Sequence, residues 1–196
     1  MIGQQQKDQA EKWFKDLRDK ICEEFEILEE DHLKLAPKSD VAAKKFERKS
    51  TIRETDDKED GGGGVMATLK GGRIFEKVGV NVSAVYGNLA PEAQKSITAR
   101  KAIPELKDDP RFWASGISLV AHMRNPHTPA IHLNTRMFWT PHAWWFGGGT
   151  DLNPSIENDD DTNFFHQTLK KKCDKHNQSY YKKFKEWADE YFFIPH

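Results

Sequence analysis

The sequence predicts an α+β fold, a large antiparallel β-sheet covered by helices. Three observations lead there. Two apolar runs, 117–123 and 130–138, flank the joint Arg124-Asn125-Pro126-His127-Thr128-Pro129. Prolines are excluded from central strands, so the joint is a turn and the runs form a hairpin. Upstream, residues 65–86 alternate apolar and polar between glycines, the pattern of a meander. Both ends of the chain instead carry apolar residues at helical spacing.

Taken in order, residues 4–35 form one amphipathic helix with Trp13, Leu17, Ile21, Phe25 and Leu28 on one face. That spacing fits a helix packed on its own domain better than a partner-binding helix. Pro37, with Ser39 and Asp40 beyond it, marks the exit. Residues 46–55 fit a polar edge strand, and the acidic run 54–60 a solvated loop. Gly61-Gly62-Gly63-Gly64 invites a phosphate-loop reading, which fails because Lys70 is followed by glycine and no helical pattern follows. Strands are expected at 65–69, 73–78 and 79–86, with Gly71-Gly72 as a turn. Residues 90–101 make a short helix with Pro91 in its first turn, 104–110 a loop, and the central strands begin near Arg111. A third apolar run, 143–146, ends in Gly147-Gly148-Gly149. The acids of 157–161 suit the start of a helix over 160–175. Ser179 caps a last helix with a buried stripe of Tyr181, Phe184, Trp187, Ala188 and Tyr191. The expected layout is one domain: a helix in 1–40, the sheet in 46–153 and helices in 159–196.

At 196 residues the chain is long enough for one domain with a core. Its 30 basic and 31 acidic side chains nearly cancel, so nothing in the overall charge favours nucleic acid or an anionic membrane. No apolar run approaches the ~20 residues of a membrane span. The start, MIGQQQKDQAEKW, lacks both a signal-peptide apolar core and the bias of a transit peptide. Cys22 and Cys173 lie far apart on predicted helices and fit reduced structural thiols. The expectation is a cytoplasmic protein.

Period two sorts the hairpin's side chains. His132, Asn134 and Arg136 share one face of the second strand, while Ile131, Leu133 and Thr135 face the other way. Ser118, Val120 and His122 share a face of the first. A strand that spends a face on His, Asn and Arg lines something polar. His132 suits an acid or base near neutral pH. Arg136 suits a carboxylate, or alternatively an ordinary ion pair. Asp151, after three glycines, is either a carboxylate held close to a ligand or a turn aspartate. Trp144 and Trp145 alternate, so one lines a cleft and the other belongs to the core. His122, His132, His166 and His196 come from separate elements. They are either metal ligands or hydrogen-bonded, partly buried histidines, and no compact ligand signature accompanies them. Composition and spacing alone support a polar cleft on a β-sheet.

The stretches GGGGVMATLKGGRIFEKVGVNVSAVYG, SLVAHMRNPHTPAIHLNTR, WWFGGGTDLNP and KWADEYFFIPH give a further clue. In this order they resemble oxygen-dependent coproporphyrinogen III oxidase, over about residues 46–196. The resemblance implies a flat sheet flanked by helices on both faces, and a homodimer. It implies oxidative decarboxylation of two propionates of coproporphyrinogen III to vinyls, giving protoporphyrinogen IX on the route to haem. Molecular oxygen is the oxidant, and no organic cofactor is involved. His132 matches the family's proposed proton donor; Ser118, Asn134, Thr135 and Arg136 match its substrate-binding positions. With a tetrapyrrole as ligand, the ligand-side reading of Asp151 is a carboxylate that accepts pyrrole N–H groups and stabilises positive charge on the ring, beside its reading as a turn or cap aspartate. His122, His132, His166 and His196 match histidines that bacterial members are described as using for a divalent metal, although the reaction is generally described as needing none. The family continues past the apolar run that ends at Pro195 and His196, so the chain is expected to be short of a C-terminal third. The alternatives are a histidine-metal oxygenase or hydrolase, and a non-catalytic tetrapyrrole-binding protein.

Overall fold

The alternation in the middle of the chain becomes a six-stranded antiparallel sheet whose strand order is the order of the sequence. The computed structural model describes residues 3–37, 40–55 and 58–193. Its strands are β1 (Glu47–Glu54), β2 (Asp60–Lys70), β3 (Phe75–Asn88), β4 (Arg111–Met123), β5 (Ala130–Trp139) and β6 (Trp144–Asn153). Its helices are α1 (Gln4–Leu35), α2 (Pro91–Lys101), α3 (Asp159–Asp174) and α4 (Tyr180–Phe192), with a 3₁₀ turn at Pro104–Lys107. The α+β architecture is the one expected, and no described helix is long and apolar enough to cross a membrane.

One face of the sheet carries the main core. Odd-numbered residues of β4, Trp113, Ile117, Leu119 and Ala121, join Val78, Val80 and Val82 of β3 and Met137 of β5 beneath α1. The helix meets them with Ala10, Phe14, Leu17, Ile21, Cys22 and Phe25, and Phe25 stacks on Phe75 at 4.7 Å. The stripe is therefore turned from the expected one: Phe14 is fully buried, whereas Trp13 and Leu28 are about half exposed. Two charged residues disguised the true face. Arg18 and Glu29 are buried on it, and a charge at a helical position is ordinarily assigned to solvent.

Glu29 locks α1 to the sheet. Its carboxylate accepts the backbone N–H groups of Arg73 (2.6 Å), Ile74 (2.8 Å) and Phe75 (3.0 Å) at the turn between β2 and β3. Beside it, Glu26 accepts the N–H of Phe46 at 2.8 Å, fixing the entry to β1.

The opposite face carries a second, smaller core. Leu89, Ile103 and Leu106 gather there with Ala93 and Ile97 of α2 and with Phe112, Phe138 and Trp145 of the sheet. Helices thus lie on both faces. Their coverage is uneven, because α2 is short and the face beyond it stays open.

Several boundaries differ from expectation. Gly61-Gly62-Gly63-Gly64 lies inside β2, with Gly63 and Gly64 paired to both β1 and β3 and Gly62 to β3, because a strand with neighbours on each side needs only its backbone to hold register. The expected strands at 73–78 and 79–86 are one strand, β3, with Gly79 paired normally in its middle. Gly147-Gly148-Gly149 and Asp151 likewise belong to β6. At α4, Asn177 rather than Ser179 supplies the acceptor at the helix start, taking both the N–H and the hydroxyl of Ser179. The stripe of α4 is not buried: Phe184, Trp187 and Tyr191 are exposed. Periodicity reveals an apolar face without revealing what covers it, and α4 packs chiefly on α3. Trp144 is exposed too, edge-on to Phe146, so it is not a core residue.

Candidate active site

The open face of the sheet is built from the even-numbered residues of β4 and β5 and their partners. Ser118 pairs with Asn134 and with Asn81 of β3, Gly116 with Arg136, and Arg136 in turn with Gly147 of β6. Opposed residues share a face, so Ser118, Asn134 and Arg136 stand together as their alternation implied. Gly116 is needed here, since a Cβ on it would lie 2.6 Å from the Cβ of Arg136. Gly147 and Gly149 project no side chain into the open space on this face. The floor is made of small residues, with polar groups at its rungs.

Over this floor lies a cleft of about 670 Å³. Phe138, stacked between Phe112 (5.6 Å) and Trp145 (4.9 Å), forms its aromatic wall. Thus Trp145, not Trp144, is the cleft tryptophan. The far side is α2, which contributes Ser96, Ile97, Arg100 and Lys101. Thr135 also borders the cleft, but its side chain points to the α1 face, so it offers the cleft its main chain.

His132 stands one rung beyond Asn134, about 7 Å further along the strand. It is directly opposed by Asp151, and His132 Nδ1 lies 2.8 Å from Asp151 Oδ1. A carboxylate oxygen that accepts in this contact takes the proton of the Nδ1–H tautomer, which leaves the lone pair on Nε2. The second oxygen, Oδ2, accepts a short hydrogen bond from the side-chain amide of Asn153. Thr150 Oγ1 donates to the carbonyl of His132 at 2.7 Å. Asp151 is therefore neither a turn residue nor a free carboxylate; both its oxygens are engaged, one of them by the imidazole.

Sequence reasoning missed four groups that line the cleft. From sequence, Arg100 and Lys101 belong only to a helix end and Gly116 only to the strand that begins near Arg111; a glycine within a central strand is the signal that marks it. Asn81 is the fourth, and its side-chain oxygen is buried with no hydrogen-bond partner. No aspartate or glutamate lines the cleft, and Arg100, Lys101 and Arg136 make no ion pair among the described residues.

The family model for coproporphyrinogen III oxidase matches residues 9–196. This chain belongs to the coproporphyrinogen III oxidase family. Among curated relatives, the oxygen-dependent coproporphyrinogen-III oxidase of Rickettsia peacockii (strain Rustic) is 45% identical over 190 residues, covering 97% of this chain. That of Rickettsia bellii (strain RML369-C) is 42% identical over 195 residues, covering 100% of it. The chain spans 62% and 64% of the length of these two relatives.

Of the four histidines that the resemblance to this family links to metal, three lie in the described residues. His122 shares the sheet face of His132, while His166 is on α3, with its Nδ1 3.0 Å from the hydroxyl of Tyr181 on α4. His196 lies outside the described residues. Among those described, no three His, Cys, Asp or Glu side chains gather closely enough to hold a metal. No chemical step is assigned to a metal ion.

Proposed function

We propose that this chain carries the substrate face of an oxygen-dependent coproporphyrinogen III oxidase, with His132 as its proton-transfer group. One observation carries the reading: a cleft with no acid in its lining is floored by Ser118, Asn134 and Arg136, and one rung further along the same sheet face His132 Nδ1 contacts Asp151. A cleft lined by an aromatic wall and the cations Arg100, Lys101 and Arg136 suits a tetrapyrrole bearing anionic propionates. Arg136 can grip one carboxylate with two parallel hydrogen bonds. The unpartnered oxygen of Asn81 is suited to accept a pyrrole N–H, which would remove the cost of leaving it unsatisfied.

The reaction converts –CH2–CH2–COO⁻ to –CH=CH2. The C–C bond to the carboxylate breaks and CO2 leaves. The carbon next to the ring loses a proton, and two electrons depart. Dioxygen takes those electrons with two protons and becomes H2O2; one proton comes from that carbon and the other from outside the substrate. His132 Nε2 is suited to move a proton at this point, while Asp151 holds the ring and stabilises the imidazolium that forms. The relatives' printed names support dioxygen as co-substrate. A homodimer in the cytoplasm completes the proposal.

The test is turnover of His132→Ala, measured as dioxygen consumed with coproporphyrinogen III beside a thermal melt. Loss of proton transfer typically slows a reaction ~10²–10⁴-fold. A folded variant with collapsed turnover supports the role, and near wild-type activity removes His132 from the mechanism. A ligand that binds and is released unchanged by the unmodified protein would favour a tetrapyrrole-binding protein instead.

A further inference from the structure

We infer that Arg100 and Lys101, at the end of α2, form a second carboxylate grip across the cleft from Arg136, so that the cleft reads how many carboxylates its ligand carries. The inference rests on the reading of the cleft as a tetrapyrrole site and adds to it the groups that select among such ligands.

Cations in the last turn of a helix have an ordinary explanation, because they complement the negative end of the helix dipole. That explanation requires nothing of their direction. Here the direction is set by packing. Ile97 sits in the small core between α2 and the sheet, and Arg100 and Lys101 follow it by three and four residues, which places them on the same side of the helix. Both line the cleft instead of facing away from it. Lys101 Nζ is 5.3 Å from the ring centre of Trp145, so the cleft wall itself holds the ammonium in position.

Charge makes the second argument. The chain has 30 basic and 31 acidic residues, yet the cleft collects Arg100, Lys101 and Arg136 with no acid among its lining. Three like charges around a half-enclosed space repel one another until an anion enters. Arg136 can satisfy one carboxylate on the floor. A ligand with four carboxylates brings others to its rim, and α2 meets that rim. A ligand with two would leave one grip empty.

The experiment measures binding to the full chain of coproporphyrin III, the redox-stable porphyrin with four propionates, and of a porphyrin with two, by ligand fluorescence polarisation. The wild-type protein is expected to prefer the four-propionate ligand. In Arg100→Gln/Lys101→Gln that ligand should weaken about tenfold or more, the two-propionate ligand should change little, and the preference should collapse. Binding of the wild type should also weaken with added salt more steeply than binding of the variant. Single Lys101→Gln, which leaves Arg100 in place, should show an intermediate loss of preference and serves if the double variant does not fold. An unaltered preference in these variants, with binding lost in Arg136→Ala, would overturn the inference and leave the tetrapyrrole site standing. Failure of the wild type to bind either porphyrin would overturn both.

Discussion

His132 and Asp151 occupy directly opposed positions on β5 and β6, and a 2.8 Å contact joins Nδ1 of one to Oδ1 of the other. Because Asn153 donates to the remaining oxygen, the carboxylate is oriented from both sides. The pair behaves as one unit: the aspartate fixes which imidazole nitrogen carries the proton.

Asp151→Asn is expected to keep the fold and lose catalysis. Asn153 needs an acceptor and will claim the new amide oxygen, turning the amide N–H2 toward His132. Nδ1 must then accept, and the proton moves to Nε2. Turnover should fall ~10²–10⁴-fold, the range of a lost proton transfer, with melting unchanged. Nitrogen NMR of the labelled imidazole reads the tautomer directly. Full turnover in the variant would show that the pair has no part in the chemistry.

Arg136→Lys keeps the charge and loses the two-pronged grip. Affinity for a tetracarboxylate porphyrin should weaken by about 1.5–3 kcal/mol, the size of a hydrogen bond to a charged group. Arg136→Ala should weaken it at least as much. Titration of both variants decides; wild-type affinity in each would make Arg136 a surface residue of the sheet.

Glu29→Gln tests the lock between α1 and the sheet. Glutamine has nearly the same shape, but one of the two oxygens that receive the N–H groups of Arg73, Ile74 and Phe75 becomes an N–H2. At least one buried donor then faces another donor, at a cost of about 1–3 kcal/mol. Chemical denaturation should show that loss. Stability equal to wild type would mean that the helix is held by its apolar contacts alone.

The two cysteines should differ in reactivity. Burial pushes the Cys22 thiol up to about 11, while Cys173 is half buried and also free. A raised pKa keeps Cys22 protonated at neutral pH, and a protonated thiol is a poor nucleophile. A thiol reagent at pH 7.5 should therefore label Cys173 first, and Cys22 only on unfolding or at strongly alkaline pH. Equal labelling rates in the native protein would contradict the burial of Cys22.

The sheet was legible because its signals are local. Two prolines between apolar runs place a turn, and strict alternation then places Ser118, Asn134 and Arg136 on one face. Thr135 illustrates the limit of a matched segment: it belongs to the same tripeptide as Asn134 and Arg136, yet its side chain lies on the opposite face. The errors came where tertiary context reversed a local rule. Glycine runs stayed in strands because neighbouring strands supplied the hydrogen bonds, β1 and β3 for β2 and β5 alone for the edge strand β6. The face of α1 was misplaced because Arg18 and Glu29 are charged and buried together. The partnership of His132 with Asp151 links residues 19 apart in sequence, and only the register of β5 against β6 brings them together. Arg100 and Lys101 were hidden for a similar reason, since their helix can be rotated only by knowing what Ile97 packs on.

The six strands are laid down in the order in which the ribosome delivers them. Each newly emerging strand finds its partner as the last strand already made, so no segment has to wait for a distant one or thread between two others. The exception is α1, which is synthesised before the strands and must wait for Arg73, Ile74 and Phe75 to meet Glu29. Nascent chains should accordingly carry an exposed amphipathic helix until β3 has been made. That interval is when the protein most needs shielding from its neighbours in the cell.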